Sequence, residues 1–459
     1  MFARRRMLAV PLAVSLMCAP SAMVAQAKLA VSEAPDKRIA AALRDVSTAR
    51  IQATIEKLAS FGTRHTLSAT PEATAKGRGI GVAREWIRAE FERYSKACGG
   101  CLDVQMQSFI QQPADRVPQP TEIVNVYAVL KGTNPEAAKR IYIVTGHYDS
   151  RASDPLDAQS DAPGANDDAS GTAVSLEAAR VLSQQKFPAT IIFMAVAGEE
   201  QGLNGARYFA KWAKEQGMNI AGVLNNDIVG GNKSKEQDPS IVRVFSEGLP
   251  IAATEADLRL IRATGGESDS PSRQLARYIR EIGKLYLPQG FGPKMVFRRD
   301  RYLRGGDHTA FNESGFAAVR FTEYREDYNR QHQNVRKEGG VEYGDLPKFV
   351  DYQYVANVAR LNIATLAALA SAPAPPGNVK LLTKELENVS QLTWEAAPDA
   401  ARYEILWRPT TAPEWENVID AGKGTSYTVP RSKDNVIFGV RSVSARGHRS
   451  LPVVPTPER

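Results

Sequence analysis

Cysteine and histidine are scarce in this chain, three and five in 459 residues, so thiolate clusters and histidine-rich metal sites have little to be built from. Cys18 falls in the first 27 residues, which leaves Cys98 and Cys101 beyond them. A zinc site on that pair would lack its other two ligands, and no thioredoxin-like pattern surrounds it. In an oxidising compartment the run Cys98-Gly99-Gly100-Cys101 is expected to close a local disulfide. Long apolar runs are also missing: the stretch 7–17 falls short of the roughly 20 residues that cross a bilayer, so no integral membrane segment is expected. Charge of one sign is not in large excess either. The net value of +7 comes from 58 basic and 51 acidic residues spread along the chain, with no basic stripe for nucleic acid or a membrane surface.

What is present begins with a leader. Arg4, Arg5 and Arg6 precede the apolar stretch, and small residues ending in Ala25, Gln26 and Ala27 follow it. This reads as a signal peptide over residues 1–27, cleaved before Lys28, and predicts an exported protein, periplasmic or secreted. A twin-arginine signal at Arg4 and Arg5 and lipidation at Cys18 are the other readings, and their surroundings fit those motifs poorly. The remaining length predicts more than one folded unit.

Apolar residues recur at helical spacing over 51–61 and 80–94. Next come an extended segment at 122–131 and strands at 140–145, 189–197, 220–225, 241–246 and 317–322, with helices at 170–184, 205–216, 272–282 and 349–370. This alternation predicts an α/β fold with a mixed, largely parallel sheet flanked by helices. The proline-rich run 371–377 is read as a linker between a catalytic domain, 28–370, and a C-terminal segment, 378–459. In that segment the period becomes alternating, over 391–394, 402–407, 426–429 and 436–444, and Trp394, Tyr403 and the last strand resemble a fibronectin type III-like β-sandwich. It is expected to be a folded appendage without chemistry; contact with a protein or polysaccharide is the second option.

Chemistry gathers where the strands end. His147 follows the strand 140–145, at the carboxyl edge where open α/β sheets bind ligands. Asp149 can accept its second ring N–H, which fixes the tautomer. In the turn Asn166-Asp167-Asp168-Ala169-Ser170, capping the next helix needs only Asp168 or Ser170, which leaves Asp167 for another task. Glu199 and Glu200 end an apolar strand, and adjacent acids there are costly unless their roles differ, one holding metal and one handling protons. Asp227 follows the strand 220–225, and Asp307-His308 precedes a short apolar turn. With Asp149 and Glu199 the pocket would hold five carboxylates and two imidazoles, which stay ionised together only beside divalent cations. We therefore read His147, Asp167, Glu200, Asp227 and His308 as ligands of a two-metal hydrolase. His65, His332 and His448 have no such acidic setting in the sequence and are read as surface or structural.

In this order, His-x-Asp, Asn-Asp-Asp-Ala-Ser-Gly, Glu-Glu-x-Gly-Leu-x-Gly-Ala, Asn-x-Asp and Asp-His resemble the motifs of zinc exopeptidases of metallopeptidase family twenty-eight, of the bacterial leucyl aminopeptidase and aminopeptidase Y type. The likeness covers roughly residues 51–370. It implies the phosphorylase/hydrolase-like fold of zinc exopeptidases, two Zn2+ as cofactors and peptides as substrates. It further implies His147 and Asp227 on one zinc, Glu200 and His308 on the other, Asp167 bridging both, Glu199 as catalytic base, Asp149 supporting His147, and a cis peptide after Asp167. The activity implied is that of an aminopeptidase using a water shared by the two ions. Branches with similar ligands include carboxypeptidases, for which Arg299, Arg301 and Arg304 would pair with a substrate carboxylate, and single-zinc glutaminyl cyclases. Non-catalytic binding proteins of this fold have lost ligands, and this chain carries the full set.

Overall fold

Two strands buried along their whole length set the frame of the molecule, a computed structural model that describes residues 35–287 and 290–459. The leader read at 1–27, with Cys18 and the cleavage point before Lys28, lies outside the described residues. The central sheet contains β1 (Leu102–Gln111), β2 (Thr121–Leu130), β3 (Arg140–His147), β4 (Thr190–Val196), β5 (Asn219–Asn226), β6 (Ile241–Ser246), β7 (Gly292–Val296) and β8 (Ala318–Glu323). Every residue of β3 and β4 is buried, which a strand tolerates only when both faces are covered, and the two pair in parallel.

The strand order is β1-β2-β4-β3-β5-β8-β6-β7. Four junctions are parallel, β4–β3, β3–β5, β5–β8 and β6–β7, and three are antiparallel, so the sheet is mixed. Sequence pattern missed β1 and β7 because edge strands bury little: β1 intersperses half-buried residues with exposed Asp103, Gln105, Ser108 and Ile110 instead of carrying an apolar run.

The helices are α1 (Lys37–Arg44), α2 (Thr48–Ala59), α3 (Pro71–Ala75), α4 (Ile80–Ala97), α5 (Ala169–Leu182), α6 (Asn204–Glu215), α7 (Glu255–Thr264), α8 (Pro271–Tyr286), α9 (His308–Glu313) and α10 (Tyr352–Ser371). One face of the sheet is covered by α1, α2, α4, α5, α8 and α10 around Ile55, Phe91, Val174 and Val355; α6 and α9 cover the other with Phe209 and Phe311. Cys98 and Cys101 pair just after α4.

The close packing of α5 positions the site. A Cβ on Gly146 would lie 2.3 Å from the backbone of Gly171, and one on Gly171 would lie 2.1 Å from the carbonyl oxygen of Asn226. Only glycine lets the start of α5 sit this near the ends of β3 and β5. Asp168 caps α5 by accepting from Gly171 N at 2.9 Å, and it also accepts from His147 N at 3.0 Å and Ile228 N at 3.3 Å. One carboxylate thereby holds three chain segments in register.

Between β8 and α10 runs a small hairpin of β9 (Arg336–Glu338) and β10 (Val341–Tyr343). The C-terminal segment forms two sheets from β11 (Gly377–Leu382), β12 (Ser390–Glu395), β13 (Arg402–Pro409), β14 (Asn417–Gly422), β15 (Ser426–Val429), β16 (Val436–Val443) and β17 (Thr456–Glu458). Their orders are β15-β12-β11-β17 and β14-β13-β16, with Leu392, Trp394, Tyr403, Ile405, Val429 and Val440 between them. This unit is docked by ion pairs onto α8 and the loop before it: Arg408 meets Asp269 at 2.8 Å and Arg441 meets Glu281 at 2.8 Å, both largely buried, and the more exposed Glu414 pairs with Arg280 and Lys284. The connector is part of that contact, since Ala372 is buried and its carbonyl accepts from Arg140 at 2.7 Å.

Inside the C-terminal unit, Glu404 accepts from Arg441 Nε at 2.8 Å and Arg449 Nε at 3.0 Å. Burial works against its charge, but the guanidiniums prevail and hold the carboxyl at about 2, below the ordinary 4.5. A folded-state value under the unfolded one means stabilisation that is complete above pH 4.5 and lost as pH falls through about 2, on the order of 3 kcal/mol. Equilibrium unfolding of the wild type and Glu404→Gln is therefore expected to differ most near pH 5 and to converge towards pH 2.

Candidate metal centre

The carboxyl ends of β3, β4, β5 and β8 open on one cavity of about 570 Å³, whose lining includes Asp167, Glu199, Glu200, Asp227 and His332. His147, the last residue of β3, is buried beside them. Its Nε2 lies 3.1 Å from Asp167 Oδ1 and 3.8 Å from Asp227 Oδ1. The other oxygen of Asp167 faces a second imidazole, with His332 Nε2 at 3.0 Å, and that same nitrogen is 3.0 Å from Glu200 Oε1. Asp167 is thus shared by two clusters, His147/Asp167/Asp227 and Asp167/Glu200/His332, and within each the potential ligand atoms lie within 4.8 Å of one another.

The sequence assignment of the second imidazole is corrected here. His308 opens α9, and its Nε2 donates to the carbonyl of Arg299 at 2.8 Å, with Asp300 Oδ2 at 3.8 Å. It belongs to neither cluster. Asp307-His308 begins a helix instead of following a strand, so the ring turns to the loop before it. His332, read from sequence as surface or structural, sits in the loop after β8, the same edge that supplies the other residues. Its φ of 53° is left-handed, a conformation that a non-glycine residue keeps only where its surroundings hold it. Its neighbour Gln331 donates to Asp167 Oδ2 at 3.0 Å. The rule used for His147, Glu200 and Asp227, a polar residue at the end of a buried parallel strand, does not reach His332, which stands well beyond the end of β8.

Supporting charges orient the cluster. Asp149 lies 3.5 Å from His147 Nδ1, and its oxygens accept from Glu199 N at 3.3 Å and Glu200 N at 3.1 Å. It therefore braces both the imidazole and the two-glutamate turn. Asp345, absent from the sequence-derived set, accepts from Asn166 N at 2.9 Å and Asp167 N at 2.7 Å. The Asp167–Asp168 peptide is cis. Arg320, fully buried on β8, forms an ion pair with Asp227 at 2.9 Å and donates to Asp300 at 3.0 Å. His65 is buried and structural, with Nε2 2.9 Å from the carbonyl of Pro155.

The protonation pattern is that of a cation site. Burial opposes charge on His332, but Glu200 and Asp167 override it and raise the ring to about 10. Burial likewise opposes the charge of His147, which its surrounding carboxylates raise. Burial also disfavours the Asp227 carboxylate, yet Arg320 and His147 hold it at about 2. Glu199 differs: burial, with Asp227 and Glu200, pushes its carboxyl well up against the opposing pull of His147. Among the described residues, the buried atoms His147 Nε2, Glu200 Oε1 and Asp227 Oδ2 make no hydrogen bond. Unpaired buried donors and acceptors are costly. Divalent ions coordinated by these imidazole and carboxylate atoms would satisfy them, a donor set that suits zinc, manganese or cobalt.

The family model described as peptidase family M28 matches residues 125–339, a span that contains both clusters. A probable zinc metalloprotease of Pyrenophora teres f. teres is 46% identical over 433 residues, covering 93% of this chain and 88% of that protein. Another, from Pyricularia oryzae, is 46% identical over 436 residues, covering 93% and 86%. In fold, the chain is similar to the LapA aminopeptidase of Legionella pneumophila, with a TM-score of 0.51 at 22% identity over 73% of this chain and 75% of that one. It is also similar to the aminopeptidase from an Aneurinibacillus species, with a TM-score of 0.50 at 15% identity over 74% and 97%.

The two histidines separate experimentally. After dialysis, His332→Ala is expected to retain less divalent metal than the unsubstituted protein by plasma emission, whereas His308→Ala retains its metal. The reverse result would return His308 to the ligand set.

Proposed function

The chain belongs to peptidase family M28, among its zinc metalloproteases, and from that premise we propose a two-zinc exopeptidase that removes residues from the amino end of peptides. The observation that carries this reading is the two-sided environment of Asp167, one oxygen towards His147 and the other towards His332. His147, Asp167 and Asp227 would hold one ion, and Asp167, Glu200 and His332 the other. Zinc bound there supplies Lewis acidity towards a carbonyl oxygen and lowers the pKa of water.

The chain's own residues supply the rest. Glu199 lines the cavity next to Glu200, and its raised affinity for a proton suits it to accept one from the attacking water and return it to the leaving amine. Asp149 holds the backbone of Glu199 and orients His147. The amino-end direction draws on the fold shared with the two aminopeptidases. A carboxypeptidase is the second reading, because arginines line the cavity. Export through the leader at 1–27 and a fibronectin type III-like nature for 378–459 belong to the same proposal.

Glu199→Gln is expected to lower turnover of leucine p-nitroanilide by about 10² to 10⁴-fold with metal content unchanged. Full activity in that variant would remove Glu199 from its role. Cleavage only of N-blocked peptides with free carboxyl ends would reverse the direction.

A further inference from the structure

Six arginines line the cavity: Arg116, Arg151, Arg207, Arg299, Arg301 and Arg304. Three are neutralised, Arg207 by Glu313 at 3.3 Å, and Arg301 and Arg304 by Glu326 at 2.9 and 3.5 Å. The other three are not. Arg116 donates to the main-chain carbonyl of Glu200 at 2.9 Å and forms no direct ion pair among the described residues, and Arg299 forms none there either, its charge reaching Glu247 only at longer range. Arg151 is 13% exposed at its side chain, donates to the carbonyls of Ala152 and Ser153, and comes no nearer to an acid than 3.9 Å from Glu200.

The acids of the cavity do not answer this charge. Asp167, Glu200 and Asp227 face the imidazoles and the ions they would hold, Glu199 is the proposed base, and Glu313 is taken by Arg207. With divalent cations in place the mouth carries a clear positive excess. A cationic side chain on the substrate would be repelled by it. A carboxylate would meet guanidinium edges with unused donors, the geometry that captures two oxygens at once.

The loop bearing Arg299 is also held in place. Its carbonyl accepts from His308, and the adjacent Asp300 pairs with Arg320, which in turn holds Asp227. His308, displaced from the ligand set, thus acts as a positioning residue for the arginine wall.

We propose that this wall selects peptides presenting a carboxylate close to the scissile bond. The group is either the acidic side chain of the first residue or the free carboxyl end of a very short peptide. The inference rests on the peptidase reading above, which it deepens by naming the substrate class.

The test uses zinc-loaded protein and four peptides: Glu-Leu amide, Leu-Leu, Leu-Leu amide and Lys-Leu amide. At least one of the first two is expected to exceed Leu-Leu amide in kcat/KM by about tenfold or more, the scale of one hydrogen bond to a charged group. A gain confined to Glu-Leu amide assigns the side chain, and one confined to Leu-Leu assigns the carboxyl end. Arg299→Met and Arg116→Met should shrink that ratio, mainly through KM, and added salt should shrink it as well. Calorimetric binding of glutamic acid α-amide against leucine amide repeats the side-chain arm without turnover. Equal rates on all four peptides, a preference for Lys-Leu amide, or a ratio unchanged in both variants would overturn the inference while leaving the peptidase intact. No hydrolysis of any of the four would overturn the peptidase reading and this inference with it.

Discussion

The carboxylate of Asp167 is the constraint around which the site is arranged. It stands between two imidazoles, 3.1 Å from His147 and 3.0 Å from His332, with Asp227 and Glu200 completing the two sides. So many acids in a buried space repel one another unless positive charge divides them. In the protein alone the imidazoles provide it by holding protons; divalent ions would provide it more strongly, which is why the same residues suit a metal centre.

Holding such a cluster together demands further buried charge, and most of it is spent on backbone. Asp168 binds three amides, Asp345 binds two, and Asp149 braces the two-glutamate turn. Arg64 is fully buried and donates to the carbonyls of Leu58, Tyr148, Pro163 and Gly164, closing the loops around the site. Burial lowers this guanidinium to about 10, with Asp345 and Asp149 opposing the fall, so it remains charged at neutral pH. A buried ion is tolerable when its hydrogen bonds are filled in this way, and removing one partner leaves the others exposed to the full desolvation cost.

The C-terminal unit has a different relation to the site. It contributes no residue to either cluster, yet its Arg408, Arg441 and Glu414 grip α8 and Asp269 just before it, and the connector between the two parts is packed against the sheet. It is fixed to the body by these ion pairs, where a proline-rich run in the sequence suggested a spacer.

The sequence by itself determined the frame and most of the site. Apolar runs such as Thr190–Val196 announce buried strands, and the polar residues directly after them, His147, Glu199, Glu200 and Asp227, inherit the edge where those strands end. That inference works because a strand carries its next residue to a known place. Asp167 was legible for a related reason, as an acid beyond what capping α5 requires. Only the tertiary structure decided between His308 and His332. The eight residues 324–331 separate β8 from His332, and nothing local tells where such a loop brings its side chain; the acids that define its role arrive from other elements. His308 carried the more suggestive neighbour in sequence, Asp307, but the start of α9 turned its ring towards Arg299. Adjacency along the chain reports backbone direction, whereas a metal site is defined by convergence through space, and for the second imidazole the two disagree.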